Sequence, residues 1–349
     1  MAARFDAPRT HRISVETGGC VGAFNNVQSL WTVSNRKLSP REVGSDQPYA
    51  RLRFGQWIRM SSRDWFVGVG SGFRDDYDGN HDAGQLWIDL HTPYRSQTDY
   101  YPSANDLHIA TSWYGVGRRF GFHARGVEAD CQVFARSVKA NDFLARSLDG
   151  LVQGDKFQGN VRIISATDRG RIYGNGWAVD ARTVVRVGER WEGLIAVEGL
   201  LGEMKWRGLS YQDAFILSPR VFTDPQGFYH DTGGISGVAR KKNLRVDVGR
   251  SCRVDLVCKG RRVDLLGGVL WDQGYDAVPS VGAALNRASD ASRYPTWRSI
   301  TPFVRIHPTQ MRCELGAVGR GWLLSFSGDD WLFADPRNAA INLSLAATR

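Results

Sequence analysis

Long apolar runs are missing from this 349-residue sequence. No stretch approaches the roughly 18 consecutive apolar residues that a membrane-spanning helix requires, and the mean hydropathy is −0.34. These values exclude helical membrane spans. They do not exclude a transmembrane β-barrel, because only every second residue of a barrel strand faces lipid.

Lysine is also scarce, so the net charge of +9 comes mainly from arginine. The arginines occur singly at alternate positions and do not form the basic tracts typical of nucleic-acid-binding proteins. We therefore expect no nucleic-acid partner and interpret the arginines as part of a charged inner wall.

Cysteine and histidine provide no framework for a metal, a cofactor or a catalytic site. The five cysteines, Cys20, Cys131, Cys252, Cys258 and Cys313, form an odd set without CxxC spacing. All of them except Cys20 occupy apolar-face positions, which is typical of small hydrophobic residues. The seven histidines are scattered, and none is ordered with serine and aspartate as in a hydrolase. The sequence predicts a protein that is not an enzyme and carries no cofactor.

The segment 244–271, LRVDVGRSCRVDLVCKGRRVDLLGGVLW, shows the clearest pattern in the chain. Apolar residues alternate with charged ones, with breaks at Gly249–Ser251 and at Gly260–Arg261. Because side chains in a strand point alternately to opposite faces, this pattern predicts three consecutive antiparallel strands. Leu256 would face lipid and Asp255 an aqueous lumen, whereas a soluble sandwich is the alternative for these strands alone.

Similar alternation extends from Arg51 to Leu345, without helical crossovers. The predicted fold is an all-β, transmembrane antiparallel β-barrel of about 19 strands that spans residues 49–349. Residues 86–90 are predicted to be a strand and 139–159 a longer loop. Residues 1–48 form a separate N-terminal segment, in which a short amphipathic helix is predicted from the spacing of Ala23, Phe24, Val27, Leu30 and Trp31.

The charged positions of the predicted strands form the candidate pore lining. Its basic members are Arg51, Arg53, Arg59, Arg182, Arg186, Arg245, Arg253, Arg262 and Arg312. Its acidic members are Glu128, Asp130, Asp180, Glu198, Asp247, Asp255, Asp264 and Glu314. Rings of such charges determine which ions a pore passes, although many would also pair across strands.

The N-terminal residues MAARFDAPRTHRISVETGG contain no apolar h-region, so no secretory signal is expected if Met1 is the true start. A barrel of this kind with a helical N-terminal segment resembles the mitochondrial porin superfamily. The last strand resembles that family's sorting signal, a polar residue followed by a small residue and alternating hydrophobics. The matching positions are Asn338, Ala340, Ile341, Leu343 and Leu345.

The stretch LWTVSNRKLSP at 30–40 is similar to the segment before the first strand in the central channel of the outer-membrane protein translocase. The glycine-leucine-lysine nucleotide motif of the related metabolite channel is absent. The resemblance therefore implies a protein-conducting channel of the mitochondrial outer membrane, such as the divergent archaic translocase channel of trypanosomatids.

The partners that this resemblance implies are membrane lipid, precursor polypeptides, small helical membrane subunits and receptor subunits, and a homo-oligomer is a further option. Acidic lumen positions would attract basic presequences. Two alternatives remain: a metabolite or ion porin of a mitochondrial or bacterial outer membrane, and a barrel that anchors a membrane assembly.

Overall fold

The computed structural model describes residues 13–26, 43, 45–90, 97–154, 156–166, 174–217, 221–223, 229–231, 234–273, 277–285, 300–319, 321–329 and 337–348. The described elements are β1 (Ile13–Asn25), β2 (Tyr49–Ser62), β3 (Trp65–Gly79), α1 (His81–Leu90), β4 (Asp99–Tyr100), β5 (Ser103–Ala124), β6 (Val127–Gln153), β7 (Lys156–Ser165), β8 (Gly174–Val187), β9 (Trp191–Leu217), β10 (Val221–Thr223), β11 (Tyr229–Asp231), β12 (Gly234–Asp247), β13 (Ser251–Cys258), β14 (Val263–Asp272), β15 (Val278–Leu285), β16 (Thr301–His307), a 3₁₀ turn (Pro308–Gln310), β17 (Arg312–Gly319), β18 (Trp322–Gly328) and β19 (Asn338–Thr348).

Fourteen of these strands form a closed antiparallel ring, in the order β1, β2, β3, β5, β6, β8, β9, β13, β14, β15, β16, β17, β18 and β19. The ring closes because β19 pairs with both β18 and β1, with Ser14 opposite Thr348. The prediction of an all-β antiparallel barrel is confirmed, whereas the predicted number of about 19 strands is wrong.

The overcount has a simple cause, since several strands are much longer than the usual barrel strand of about ten residues. Strands β6 and β9 contain 27 residues each and β5 contains 22. The sequence pattern divided these strands into shorter segments. In particular, the predicted loop at 139–159 lies mostly within β6.

The long strands project beyond the ring as a sheet that we call the extension, formed by residues 143–153 of β6, β7, residues 203–217 of β9, and β12. In the extension, β7 pairs with β6 on one side and with β9 on the other, as β8 does within the ring. Strand β12 continues the line of β13 along the edge of β9. Strands β10 and β11 pair with each other as a separate hairpin.

The two rims of the ring differ. At one rim, the turn end, β2 is joined to β3 by Arg63-Asp64 and β5 to β6 by Arg125-Gly126. At the opposite rim, the loop end, the extension projects and the connections range from four residues, 308–311 between β16 and β17, to 23 residues, 26–48 between β1 and β2. The turn end also includes one connection of 15 residues, 286–300 between β15 and β16. The short helix α1 lies at the loop end. Its Ile88 is fully buried, and Gln85 Oε1 accepts a hydrogen bond from the backbone N–H of Val43.

Two local predictions are wrong. Ala23 and Phe24, assigned to an amphipathic helix, lie in β1, so the barrel wall includes residues before 49. Val27, Leu30 and Trp31 lie outside the described residues. Residues 86–90, predicted to be a strand, belong to α1, where their apolar side chains follow a helical spacing. Among the described residues, no helix is long and apolar enough to cross a membrane.

The wall is polar inside and apolar outside, the reverse of a soluble protein. Pairing registers assign each strand position to one face, and the outward positions form an apolar belt of exposed side chains such as Ile58, Val69, Ile195, Leu256 and Leu343. In contrast, the most buried wall residues include acidic, basic and hydroxyl side chains. We call the apolar surface the outer belt.

Aromatic side chains lie at both edges of the outer belt. Trp65 and Trp191 are exposed at the turn end, and Trp177 and Trp271 at the loop end. Arg118 is a charged side chain at an outward position of β5, opposite Trp65. Its guanidinium stacks 5.3 Å from the ring centroids of both Trp65 and Phe120.

Candidate functional site

The lumen is the candidate site, because the charged side chains of the ring converge there. Registers place fourteen of the predicted lining residues on inward positions: Arg51, Arg53, Arg59, Glu128, Asp130, Asp180, Arg182, Arg186, Glu198, Arg253, Asp255, Asp264, Arg312 and Glu314. Their role in permeation stays a prediction.

Three predicted lining residues lie elsewhere. Arg245 and Asp247 are on the outer face of the extension, where Arg245 contacts Glu203 at 3.3 Å. The register explains the change of face. The four residue steps from Asp247 to Ser251 lie opposite the five steps from Glu203 to Glu198 on β9, so the alternation shifts by one residue at 248–250, between β12 and β13. Arg262 lies in the turn before β14 and is exposed.

An ion pair between opposite walls crosses the lumen. Arg53 Nη1 on β2 lies 2.6 Å from Asp272 Oδ2 on β14, seven strands away in either direction around the ring. A round barrel of 14 strands spaced about 4.8 Å apart and tilted by about 40° would have a diameter of roughly 28 Å. Because one arginine and one aspartate cannot bridge that distance, the ring is flattened at this level.

A second ion pair is deeply buried against the wall of β13 to β16. Arg305 Nη1 lies 3.0 Å from Asp255 Oδ1, and each residue is 3% exposed. Asp255 Oδ2 also accepts a hydrogen bond from Arg253 Nε at 2.6 Å. Nearby, Val257, Leu266 and Phe303 form a buried apolar cluster, so this side of the lumen is filled with side chains.

Aromatic rings fill the opposite side of the lumen, near the turn end. Phe66 and Phe134 stack with their centroids 5.5 Å apart, and the Arg59 guanidinium lies 4.6 Å from the Phe66 ring. Inward glycines leave room for these rings. A Cβ at Gly117 would lie 2.2 Å from Phe66 Cζ, far closer than atoms can approach. The flattened lumen is therefore occluded by packed rings on one side and by ion pairs in the middle.

Water-accessible space nevertheless exists along the lumen. Glu198, on an inward position of β9, is exposed, as is Glu128 near the turn end. Arg136 Nε contacts Asp180 at 3.0 Å, and Asp180 also accepts a hydrogen bond from the backbone of Gly199. The inner surface therefore carries solvent-exposed carboxylates as well as buried ion pairs.

Several lumen residues were missed by the sequence analysis, namely Glu16, Arg74, Asp76, Arg119, Arg136, Glu192, Asp272 and Arg305. The signal was available for some of them. Asp272 lies an even number of residues after Asp264 in the same strand, so both side chains point to the same face. Arg305 lies between the apolar residues Val304 and Ile306 and therefore points to the opposite face from them. No pattern within one strand reveals which of these residues meet across the lumen.

On the inner face of the extension, the residues nearest the ring form an apolar core and those farther from the ring include charged groups. Trp206, Leu209 and Phe143 are buried together. Farther from the ring, Tyr211 donates a hydrogen bond to Asp213 at 2.8 Å, and Arg162 contacts the same carboxylate at 3.2 Å. The hydrogen bond from Tyr211, with help from Arg162, lowers the pKa of Asp213.

The proposed sorting residues lie in the closing strand β19. Ile341, Leu343 and Leu345 are exposed on the outer belt, whereas Asn338 is buried and Ala340 faces inward. This placement agrees with a lipid-facing final strand, but their sorting role stays a prediction. Within the described part of the chain, no group of three or more histidine, cysteine or acidic residues could hold a metal ion.

Comparisons with known proteins find similarity of overall shape only. No protein-family model and no curated protein matches the sequence. Similar solved structures include a deletion mutant of the monoaromatic hydrocarbon channel TodX, with a TM-score of 0.44 and 8% identity over 97% of this chain and 90% of that one. The translocator domain of the autotransporter NalP from Neisseria meningitidis matches with a TM-score of 0.33 and 9% identity over 98% of this chain and 89% of that one.

Proposed function

We propose that this chain is a transmembrane β-barrel of an outer membrane and that it conducts small solutes through its charged lumen. The observation that carries the proposal is the inversion of the wall, with an apolar outer belt around a charged interior. Water would not stabilise such a belt, whereas lipid would. The identities of the similar structures are too low to assign their substrates to this chain.

The dimensions of the belt agree with a bilayer. Val187 and Trp177 mark its two edges on β8, ten residue steps apart. At about 3.3 Å per residue and a tilt of about 40°, these steps cover roughly 25 Å, the height of the apolar band in membrane barrels. Beyond Trp177 the outer face becomes charged at Glu203, Lys205 and Arg245.

The way the ring closes favours a barrel of the bacterial type. With antiparallel neighbours throughout, only an even number of strands can close, and β1 and β19 pair antiparallel. Bacterial single-chain barrels have even numbers of strands, whereas the mitochondrial metabolite channel has 19.

Passage of a polypeptide is less compatible with this lumen. A presequence helix is about 10–12 Å across with its side chains, and the Arg53–Asp272 pair joins the opposite walls in its path. An anchoring role without transport also agrees less well with this interior. A barrel that only anchors could fill its interior with apolar side chains, which carry a lower desolvation cost than buried ion pairs. We therefore prefer the small-solute channel over protein import and anchoring.

Removing the cross-lumen pair is expected to increase conductance. In Arg53→Ala and Asp272→Ala variants, the link between opposite walls is lost and solvent can enter at this level. Single-channel recording in planar lipid bilayers checks this, with Arg245→Ala as a matched control because that arginine pairs with Glu203 on the outer face. Equal conductance in all variants would show that the Arg53–Asp272 pair does not obstruct the lumen, and no ion current from any of them would favour the anchoring role.

A further inference from the structure

Arg118 is an exposed arginine on the outer belt, close to its turn-end edge. It lies opposite Trp65 on β3 and opposite Val133 on β6. Its outward neighbours along β5 are Val116 and Phe120. All four neighbours are exposed hydrophobic side chains. The guanidinium therefore lies in an apolar part of the wall, which lipid would cover in a membrane.

Within the described part of the chain, Arg118 makes no hydrogen bond and no ion pair with a carboxylate. Two aromatic rings hold it instead, because the centroids of Trp65 and Phe120 each lie 5.3 Å from the central carbon of its guanidinium. The next residue, Arg119, points into the lumen, where its Nε lies 3.3 Å from Asp130 Oδ1. Stacking on rings leaves the N–H groups of a guanidinium able to donate. At Arg118 these donors are available to an acceptor outside the protein.

The turn end as a whole is basic. Its connections at 63–64, 125–126, 188–190 and 259–262 contain five arginines and one lysine, but only two acidic residues, Asp64 and Glu189. The five arginines are all exposed. Asp64 directly precedes Trp65 but makes no ion pair with Arg118. An excess of positive charge at a membrane surface attracts anionic lipid headgroups.

We propose that Arg118 binds the phosphate of an anionic phospholipid whose headgroup lies at the turn end. The guanidinium donates hydrogen bonds to the phosphate oxygens, a pairing that its planar set of donors favours. Trp65 and Phe120 hold the guanidinium in place and contact the upper part of the acyl chains. The arginines of the turns favour a headgroup with a net negative charge over a zwitterionic one. The lipid site rests on the membrane location of the proposed function, but it does not require conduction.

Binding of single lipids to the full chain in detergent micelles tests this site. Native mass spectrometry compares dioleoylphosphatidylglycerol with dioleoylphosphatidylcholine, because both lipids have the same chains and a phosphate but only the first has a net charge. We expect the parent to retain phosphatidylglycerol preferentially. Arg118→Gln should bind it roughly tenfold more weakly, the usual effect of losing a charge-assisted hydrogen bond. Arg118→Lys keeps the charge but not the planar donors, so its binding should lie between the two.

Arg146→Gln is the matched control, because Arg146 is an exposed arginine of the extension that pairs with Asp106, beyond the outer belt. It should retain phosphatidylglycerol like the parent. Inorganic phosphate is added as a competitor to distinguish a lipid site from a site for free anions. A lipid that is also held through its acyl chains should not be displaced by it. Circular dichroism checks that each variant keeps its strands.

The proposal is overturned if the parent retains both lipids equally or if inorganic phosphate displaces the bound phosphatidylglycerol. It is also overturned if Arg118→Gln and Arg146→Gln retain phosphatidylglycerol to the same extent. Any of these results would remove the lipid site alone. The membrane location is tested separately by Leu256→Arg in lipid vesicles, and conduction by Arg53→Ala in planar bilayers.

Discussion

Replacing Asp255 with asparagine is expected to lower the free energy of unfolding by about 3–5 kcal/mol, the usual cost of removing one partner from a buried ion pair. Arg305 would keep its charge in a site where it is 3% exposed, with Asp255 Oδ1 no longer charged at 3.0 Å. Glu314 faces Arg305 from the next strand but also contacts His307 at 3.7 Å. It is therefore not expected to compensate fully.

Guanidinium unfolding in lipid vesicles, followed by tryptophan fluorescence, measures this effect. Asp247→Asn is the matched control, because that carboxylate is exposed on the outer face of the extension and should change stability by less than about 0.5 kcal/mol. The double variant Asp255→Leu/Arg305→Met should recover most of the loss, since it removes both charges of the buried pair. Similar losses for Asp255→Asn and Asp247→Asn would show that the Asp255–Arg305 pair is not buried in the folded barrel.

Placing arginine at Leu256 is expected to cost about 2–4 kcal/mol when the barrel folds into lipid, the value for a cation at the midplane of a barrel's outer face. Leu256 is 48% exposed and lies opposite Gly267, halfway along β14. In water such an exposed site would accept arginine at almost no cost. The penalty therefore reports directly on the solvent around the outer belt.

Val238→Arg supplies the comparison, because Val238 is exposed on β12 in the extension, beyond the belt. Its expected cost is within about 0.5 kcal/mol in the same vesicles. A negligible cost at both positions would mean that the outer belt does not face lipid. The proposed membrane location, and with it the channel function, would then have to be abandoned.

Two-residue alternation was sufficient to predict the local structure of the wall. It assigned Asp255 and Leu256 to opposite faces, as the registers of β13 with β9 and β14 require. Alternation works here because each strand separates two chemically different environments, so a shift of one residue would expose every side chain to the wrong one.

The same rule failed where the backbone departs from regular pleating. Leu244 was grouped with the outward residues of β13, but it packs on the inner apolar core near Trp206. The irregular residues between β12 and β13 reverse the faces, and alternation carries no information about the size of such a break. Phe24 illustrates a second failure, because a few apolar residues in a short segment fit both a helix and a strand.

The arrangement of the lumen could not be derived from the sequence. Arg53 and Asp272 are each recognisable as inward residues, but their contact depends on how far the ring is flattened. Contacts inside the ring join strands that are distant in sequence, as the stacked rings of Phe66 on β3 and Phe134 on β6 show. Side-chain patterns describe one strand at a time and contain no measure of the distance across a barrel.

The seam between β1 and β19 imposes an order on the assembly of the barrel. Ser14 pairs with Thr348 and Phe24 with Asn338, so the seam joins the first and last strands of the described chain. Until β19 has been synthesised, β1 presents an unpaired strand edge, and such edges readily pair with other chains. Contacts this distant in sequence also form slowly, because the entire intervening chain must first be brought into a loop. The edge of β1 therefore needs shielding during biogenesis, from the time it leaves the ribosome until the last strand arrives.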